Sequence, residues 1–159
     1  MNINFLHKEY IKSFIVNNSN WVYPFSKRGS NDISEGQMTT DLVKDGRTYT
    51  KHGKFCVQTI CADLYKGPDK TTGKTLFCVL FGMGKQNPMD LQHDPEHGEE
   101  AAAYNAKVNP FMTIEFDHQP TFSEINQYIE IYFSRNGQRY VNTTEEKNIK
   151  EEERWSRIH

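Results

Sequence analysis

The chain has few cysteines and no long apolar run, and each shortage excludes a class of protein. Its longest uninterrupted apolar stretch is Leu76–Phe81, six residues, whereas a membrane-spanning helix needs about 20. Only three cysteines occur. Cys56 and Cys61 are five apart on one predicted strand, so their side chains point to opposite faces and do not pair. Buried free thiols are therefore expected rather than a disulfide framework.

The first residues also lack the apolar core of a secretory signal peptide, because Lys8, Glu9 and Lys12 interrupt it. We therefore expect a cytoplasmic protein without membrane contact. The 159 residues suffice for one domain with its own core. An aromatic content of 13% favours an ordered domain, and a mean hydropathy of −0.79 predicts a strongly polar surface.

The charges are separated along the sequence, although the net charge is only −2. Residues 44–85 carry eight basic and three acidic side chains, and residues 86–130 carry one basic and nine acidic side chains. Two interpretations are open. Either the two segments neutralise each other in the fold, or the basic segment binds an anion or an acidic partner.

The choice of residues also bears on the source of the protein. Lysines (13) outnumber arginines (6), and there are 13 asparagines. Because lysine and asparagine have AT-rich codons, this bias favours an AT-rich genome, such as that of a phage or another mobile element.

The segment Phe55–Met83 is predicted to be a β-hairpin around which the rest of the chain is organised. Phe55–Lys66 and Leu76–Met83 are rich in strand formers, and they flank a tip of Gly, Pro, Asp, Lys and Thr. Since Leu76–Phe81 is apolar without alternation, it is predicted to be a central strand that is covered on both faces.

The N-terminal third is predicted to hold a helix, a long loop and a second hairpin. Phe5–Val16 places an apolar stripe opposite a charged face, with Asn4 as N-cap; the stripe consists of Leu6, Tyr10, Ile11, Phe14 and Ile15. Asn17–Glu35 follows as a polar loop whose aromatic residues either pin it to the core or contact a partner. Asp45-Gly46 then suits a tight turn between strands at 37–43 and 47–52.

Capping signals predict further helices in the second half of the chain. Asp94 caps the first, with Pro95 in its first turn, and that helix is expected to stop before Asn109. A strand with alternating apolar residues follows at Phe111–Phe116. Thr121 begins a capping box for the next helix, which is expected to stop near Gly137. Another short strand is predicted at 138–142, and a second capping box at Thr143 predicts a charged terminal helix.

Together these elements predict an α+β fold, in which an antiparallel sheet of five or six strands packs with three or four helices. Residues 1–142 form the single globular domain, and residues 143–159 form a charged C-terminal helix or tail. The terminal helix shows only Ile149, Trp155 and Ile158 as apolar residues, so it either docks loosely or contacts a partner.

Two motifs resemble catalytic signatures but lack their context. Residues 67–75 look like a phosphate-binding loop, but five residues separate the glycines where four are needed, and a strand follows instead of a helix. His93–His97 matches a metalloprotease pattern, but the helix begins at Pro95 and leaves His93 outside it. Likewise, His118 beside Asp117 is interpreted as a turn rather than as an acid–base pair. We therefore expect no enzyme activity, no structural metal and no cofactor.

The strongest functional signal is a set of lysines interleaved with aromatic residues in the basic segment. Aromatic side chains on a basic sheet can stack bases while lysines hold phosphates, but Tyr65 and Phe77 are equally suitable as core residues. The residues predicted to bind a partner or an anion are Lys66, Lys70, Lys74, Lys85, Tyr49, Lys51, Trp21 and Trp155.

The leading hypothesis is a small non-catalytic binding or regulatory protein that engages a macromolecular partner, more readily a protein than a nucleic acid. One alternative is a single-strand nucleic-acid-binding module that uses the basic, aromatic sheet. The other is a metal-dependent hydrolase centred on His93, Glu96 and His97, since imidazole and carboxylate groups are suitable ligands for a divalent metal.

Overall fold

The computed structural model describes residues 2–24, 37–44, 47–86, 94–136 and 143–147. Several sequence-based predictions fall outside these ranges. They concern the second half of the long loop, the turn residues Asp45 and Gly46, His93, the strand expected at 138–142, and Trp155.

The described residues form an α+β structure with an antiparallel sheet, as the sequence predicts. The strands are β1 (Glu9–Pro24), β2 (Gln37–Lys44), β3 (Arg47–Pro68), β4 (Thr75–Lys85), β5 (Met112–Phe116) and β6 (Thr143–Lys147). Two α-helices lie in this part of the chain, where three or four were expected for the whole: α1 (Pro95–Val108) and α2 (Phe122–Arg135). A 3-10 turn covers Phe5–His7.

The long strand β3 organises the sheet. The strand order is β5-β4-β3-β1-β6, and β2 pairs with the first half of β3. The second half of β3 pairs with β1 on one side and with β4 on the other. Both predicted hairpins are therefore present, and β4 is an interior strand between β3 and β5.

The helix predicted at Phe5–Val16 is wrong, because this segment forms the 3-10 turn and the start of β1. The four consecutive residues from Ser13 to Val16 are all fully buried. A surface helix would expose one of its faces, whereas a strand in the middle of a covered sheet buries both. A register shift between Tyr10 and Lys12 adds one residue to β1, and such a bulge breaks the period-two pattern of a regular strand.

The capped helix predicted at Thr143 is also wrong. Thr143–Lys147 is β6, which pairs antiparallel with Ser13–Asn17 of β1. Two adjacent β-branched threonines favour a strand at this position, and the edge of β1 supplies the backbone partners. Residues 143–147 therefore belong to the sheet and not to a separate terminal helix.

The two other predicted helix starts are confirmed. The Asp94 side chain accepts hydrogen bonds from the backbone N–H groups of Glu96 and His97, and Pro95 occupies the first turn. Thr121 and Glu124 form the complete capping box that opens α2. These side chains satisfy N–H groups that have no partner inside the helix, which explains why both boundaries could be predicted.

Each face of the sheet carries its own cover. On the α2 face, Ile125, Ile129 and Phe133 of α2 pack in one core cluster with apolar residues of four strands, among them Leu64 and Phe81. On the α1 face, three alanines of α1 cover Ile15 and Cys61, and Ile3 of the N-terminal segment packs with Tyr65, Cys78 and Leu80. Consecutive residues of β4 are thus buried on opposite faces, as the unbroken apolar run predicts.

Helix α1 lies unusually close to β4 because β4 has glycine where the helix crosses it. A Cβ atom at Gly82 would overlap the Ala102 carbonyl oxygen and the Ala106 nitrogen, and one at Gly84 would lie 2.7 Å from the Gly98 oxygen. The Asn105 amide also donates a 2.7 Å hydrogen bond to the Met83 carbonyl. The acidic start of α1 is consequently fixed at the Lys85 end of β4.

None of the helices within the described ranges has the length and the apolar character needed to cross a membrane.

Gly82→Ala should be strongly destabilising, since the new methyl group meets helix backbone that cannot rotate away. Overpacking of a tight core costs about 1–3 kcal/mol and occasionally more, and we expect the upper end of that range here. Gly84→Ala should cost less, because its closest contact is longer. Urea denaturation of the two variants tests this order, and equal costs would contradict the close crossing at Gly82.

Leu80→Ala and Leu6→Ala should differ sharply, although the chemical change is the same. Leu80 is buried on the α1 face, and its truncation should cost about 2–5 kcal/mol by leaving a cavity. Leu6 is 91% exposed, and its truncation should cost less than about 0.5 kcal/mol. Denaturant melts of both variants measure the difference, and a large cost for Leu6→Ala would restore the predicted N-terminal helix.

Candidate functional site

The turn between β3 and β4 is closed by one of its own side chains. Asp69 Oδ1 accepts hydrogen bonds from the backbone N–H of Thr71 at 2.7 Å and of Thr72 at 3.0 Å. These bonds, that of Thr72 foremost, lower the pKa of the Asp69 carboxyl group. Gly73 has a φ of +71°, which favours glycine, and its N–H donates to the Asp69 carbonyl. The turn therefore has a defined conformation.

The same contacts explain why this turn is not a phosphate-binding loop. A phosphate would need free backbone N–H groups, whereas those of Thr71 and Thr72 are bonded to the Asp69 carboxylate. A strand, not a helix, follows at Thr75. The prediction of a basic hairpin tip is confirmed.

The N-terminal segment supports the tip from the side. The Asn4 N–H donates to the Pro68 carbonyl, and the Lys70 N–H donates to the Asn2 carbonyl, both at 2.8 Å. The Glu115 carboxylate accepts from the N–H groups of Asn2 and Ile3 at 2.9 and 3.0 Å. The 3-10 turn that follows is thus held beside the hairpin tip, with β5 as a further anchor.

These contacts bring cations and apolar side chains together on one surface. Lys70 and Lys74 are exposed at the tip, and Leu6 and Phe5 of the 3-10 turn are 91% and 38% exposed. The Lys8 ammonium group lies 5.0 Å from the centre of the Phe5 ring and 4.5 Å from that of Tyr65. We call Phe5, Leu6, Lys8, Lys70 and Lys74 the tip surface.

The sequence analysis missed Phe5 and Leu6 because it assigned them to a helix, with Leu6 on the buried stripe of that helix. No local signal distinguishes Leu6 from Ile11 or Ile15. Only the start of β1 at Glu9 leaves the 3-10 turn outside the sheet, and that start follows from pairing with β3.

The predicted lysines are not all at the tip. Lys85 pairs with Gln58 at the opposite end of β4, about 33 Å from Thr75 at the usual rise of a strand, so it does not lie beside Lys70 and Lys74. Lys66 lies opposite Phe77, and its ammonium group is 3.5 Å from the Glu9 carboxylate. Of the predicted lysines, the structure therefore groups Lys70 and Lys74 with the neighbouring, partly neutralised Lys66.

The predicted aromatic residues lie elsewhere. Tyr49 and Lys51 are in the first half of β3, opposite Leu42 and Thr40 of β2, and Trp21 is opposite Cys56. Tyr65 is only 4% exposed, and Phe77 packs against the core cluster of the α2 face. Hence neither Tyr65 nor Phe77 offers a free ring on which a base could stack.

The acidic groups near the tip already have other partners. Glu115 binds the N-terminal segment, Asp69 closes the turn, Glu9 pairs with Lys66, and Asp117 and Glu124 bind His118. The first turns of α1 lie at the other end of β4. Among the described residues, no ion pair involves the ammonium group of Lys70 or Lys74, so none of the described acidic side chains neutralises these two lysines.

A buried polar cluster on the α1 face was also missed by the sequence analysis. Ser13 Oγ lies 2.5 Å from the Tyr10 hydroxyl and donates to Asp63 Oδ1 at 2.6 Å, and the Cys61 thiol donates to the same oxygen at 3.1 Å. Ser13 and Asp63 are fully buried, so a substrate does not reach them. The signal in the sequence is a single acidic residue inside the apolar strand run 60–65.

The proposed metal ligands do not form a visible site. Glu96 and His97 are exposed in the first turn of α1, and His93 lies outside the described ranges. Among the residues that the structure describes, no three His, Cys, Asp or Glu side chains are grouped so that they could hold a metal ion.

His118 connects the end of β5 to the start of α2. Its Nδ1 lies 2.7 Å from Asp117 Oδ1, and its Nε2 lies 2.6 Å from Glu124 Oε2. The hydrogen bonds to Asp117 and then to Glu124 raise the pKa of His118, and those to His118 lower the pKa of both carboxyl groups. These two hydrogen bonds hold the turn between β5 and α2, where the sequence predicts one.

Comparison of the chain with protein-family models, with curated proteins and with solved structures gave no match.

The contacts of His118 should make stability depend on pH in a defined way. Because the pKa of His118 is raised in the fold, the protonated imidazole stabilises the fold fully at pH values below the unperturbed pKa of 6.5. This stabilisation is lost as the pH rises through the raised pKa. The pKa of Glu124 is lowered, so its stabilising contribution is fully present above the unperturbed value of 4.5 and is lost as the pH falls through the lowered value. The melting temperature of His118→Ala should therefore fall furthest below that of the wild type between about pH 4.5 and pH 6.5.

Thermal melts of the wild type and of His118→Ala from about pH 4 to pH 9 measure this difference. His97→Ala, which changes an exposed histidine on α1, is the control. A difference that does not vary with pH would show that His118 acts only through its size.

Proposed function

We propose that this is a non-catalytic binding protein that engages a macromolecular partner, a protein, through the tip surface. The observation that carries the proposal is the pair of exposed lysines at the tip. Lys70 and Lys74 extend from a turn of defined conformation, and every acidic group identified around them is bonded elsewhere. Lysines kept this close repel each other, and an acidic partner would remove that repulsion.

The rigidity of the tip also favours binding. Ordering a loop at an interface costs free energy that a preorganised surface avoids. The tip is held by the Asp69 carboxylate inside the turn and by Asn2 and Asn4 from outside it. A partner would therefore meet cations whose backbone is already in place.

A protein partner is favoured over single-stranded nucleic acid by the position of the aromatic residues. Proteins that bind single strands without sequence preference stack bases on exposed rings. Tyr65 and Phe77 are instead packed on opposite faces of the sheet. Of two further described rings in the N-terminal segment, Phe5 adjoins the apolar Leu6, and Tyr10 contacts Tyr65 and Ser13.

Two further features support a non-catalytic, intracellular role. Ser13 and Asp63 carry groups used in catalysis, but both are fully buried. Cys61 and Cys78 are buried free thiols, and burial raises the pKa of Cys78 to about 11, which keeps it an unreactive thiol. We also propose a phage or mobile element as the source, on the strength of the lysine and asparagine content.

Lys70→Glu combined with Lys74→Glu should show whether acidic groups of the same chain or those of a partner neutralise the two lysines. Because no acidic side chain within the described ranges pairs with either lysine, the double change should leave stability equal or slightly higher. Capture of the partner from a host lysate should weaken strongly, and the salt dependence of the remaining capture should flatten as charge contacts are lost. Pull-downs with and without nuclease, together with denaturant melts, measure both effects.

Lys107→Glu with Arg135→Glu is the control for capture, since it changes the net charge equally at the ends of α1 and α2. Only capture is compared, because an acidic side chain in the last turn of a helix opposes the helix dipole and lowers stability by itself. A double tip variant that is less stable would show that the lysines neutralise internal acids. One that keeps its stability and captures the partner at full strength would remove the tip from the proposal.

A further inference from the structure

The most exposed large apolar side chain among the described residues belongs to a backbone segment that is hydrogen-bonded to the hairpin tip. Leu6 is 91% exposed, and it lies in the middle of the 3-10 turn. The Asn4 side chain accepts from the Leu6 N–H at 3.0 Å, and the His7 N–H donates to the Asn4 carbonyl at 3.1 Å. Asn4 itself is bonded to Pro68 of the hairpin. The backbone of Leu6 is therefore as well ordered as that of the tip.

A third lysine of the tip surface, Lys8, lies close to Leu6 in the chain and contacts two aromatic rings. The Lys8 ammonium group lies over the rings of Phe5 and Tyr65, an attraction that restrains a side chain that is otherwise flexible. The Lys70 N–H also donates a hydrogen bond to the Asn2 carbonyl. Backbone hydrogen bonds therefore connect the tip to the segment that precedes the 3-10 turn. Phe5 thus contacts Lys8 directly, and the backbone of residues 2–4 connects the 3-10 turn to the tip that carries Lys70 and Lys74.

This combination of exposed apolar side chains and nearby charges is typical of a small recognition site. Interfaces concentrate binding energy in a few apolar anchors, while charges around them guide association and specify the partner. An isolated exposed leucine is ordinary on a protein surface. Here an exposed leucine adjoins a partly exposed phenylalanine that contacts Lys8, and the same segment is bonded to the tip of Lys70 and Lys74. Such a surface is complementary in charge and polarity to one kind of ligand.

We propose that the tip surface recognises a segment of a protein partner in which acidic residues adjoin apolar ones. Leu6 and Phe5 contact the apolar side chains of that segment, while Lys8, Lys70 and Lys74 contact its carboxylates. The inference rests on the proposed function and adds the class of ligand to it.

Two short synthetic peptides of equal length and equal negative charge test the inference directly. One contains aspartates and glutamates around two adjacent leucines, and in the other serines replace the leucines. Burying one leucine-sized contact corresponds to about a tenfold gain in affinity, so the wild type should bind the leucine peptide at least about tenfold more tightly. Isothermal titration calorimetry with the full chain measures both affinities.

Leu6→Ser should remove most of this preference while leaving the weaker, charge-driven binding of both peptides. Val108→Ser is the matched control, because Val108 is 55% exposed on α1, and it should keep the preference. Lys70→Glu with Lys74→Glu should weaken both peptides. Denaturant melts of each variant verify that the fold is intact.

The outcomes separate this inference from the proposed function. If the double lysine change abolishes partner capture but Leu6→Ser leaves the peptide preference unchanged, the proposed function holds and the apolar anchor is overturned. If neither change affects binding, both are overturned. Vesicles of phosphatidylserine and phosphatidylcholine and an oligothymidylate are included as probes. Binding of either one that depends on Leu6, without binding of the peptides, would overturn the inference in favour of a membrane surface or a nucleic acid.

Discussion

Burial of both faces of the β3–β4 pair is the constraint on which the rest of the structure depends. The side chains of each strand alternate between two buried faces. One face packs in a single apolar cluster under α2, and the other packs in two clusters, under α1 and under the N-terminal segment. Two covers are therefore required. The close crossing of α1 at Gly82 provides one of them, and Ile3 continues it toward the tip.

The position of the candidate site follows from that packing. Ile3 has to reach Tyr65, Cys78 and Leu80 on the α1 face, so the N-terminal segment runs beside the end of the hairpin and bonds to it at Pro68 and Lys70. The next residues of the chain leave the core before β1 begins, which exposes the 3-10 turn. The N-terminal segment must cover the sheet, and this requirement brings the 3-10 turn with Leu6 to the hairpin tip. The acidic start of α1 is held at the opposite end of β4 by the glycines that it crosses, so it leaves the tip positive.

Local chemistry determines which parts of the fold could be predicted from the sequence. The caps at Asp94 and Thr121, the hairpin tip and the doubly covered strand β4 each follow from residues that are close in the chain. The start of β1 and strand β6 do not, because both depend on pairing with strands distant in sequence. Ser13–Val16 satisfies a helical stripe and a doubly buried strand equally well, and only the presence of β3 decides between them.

The same limit applies to the site. Lys70 and Lys74 were identified because a cluster of cations in one turn is visible in the sequence. Lys85 was grouped with them because it is near in sequence to the second strand, although β4 carries it to the far end of the sheet. Leu6 was assigned to the core because nothing in its neighbours shows that the sheet begins three residues later, at Glu9.

We propose that the tip surface is the binding site of this protein. Mapping of amide chemical shifts by NMR, while the leucine-containing acidic peptide is titrated into the isotope-labelled full chain, tests it most directly. The account predicts that the largest changes fall at residues 4–8 and 69–74, which come from two distant parts of the sequence and meet only in the folded protein. Largest changes on the exposed side of α2, or in the half of β3 that pairs with β2, would contradict it.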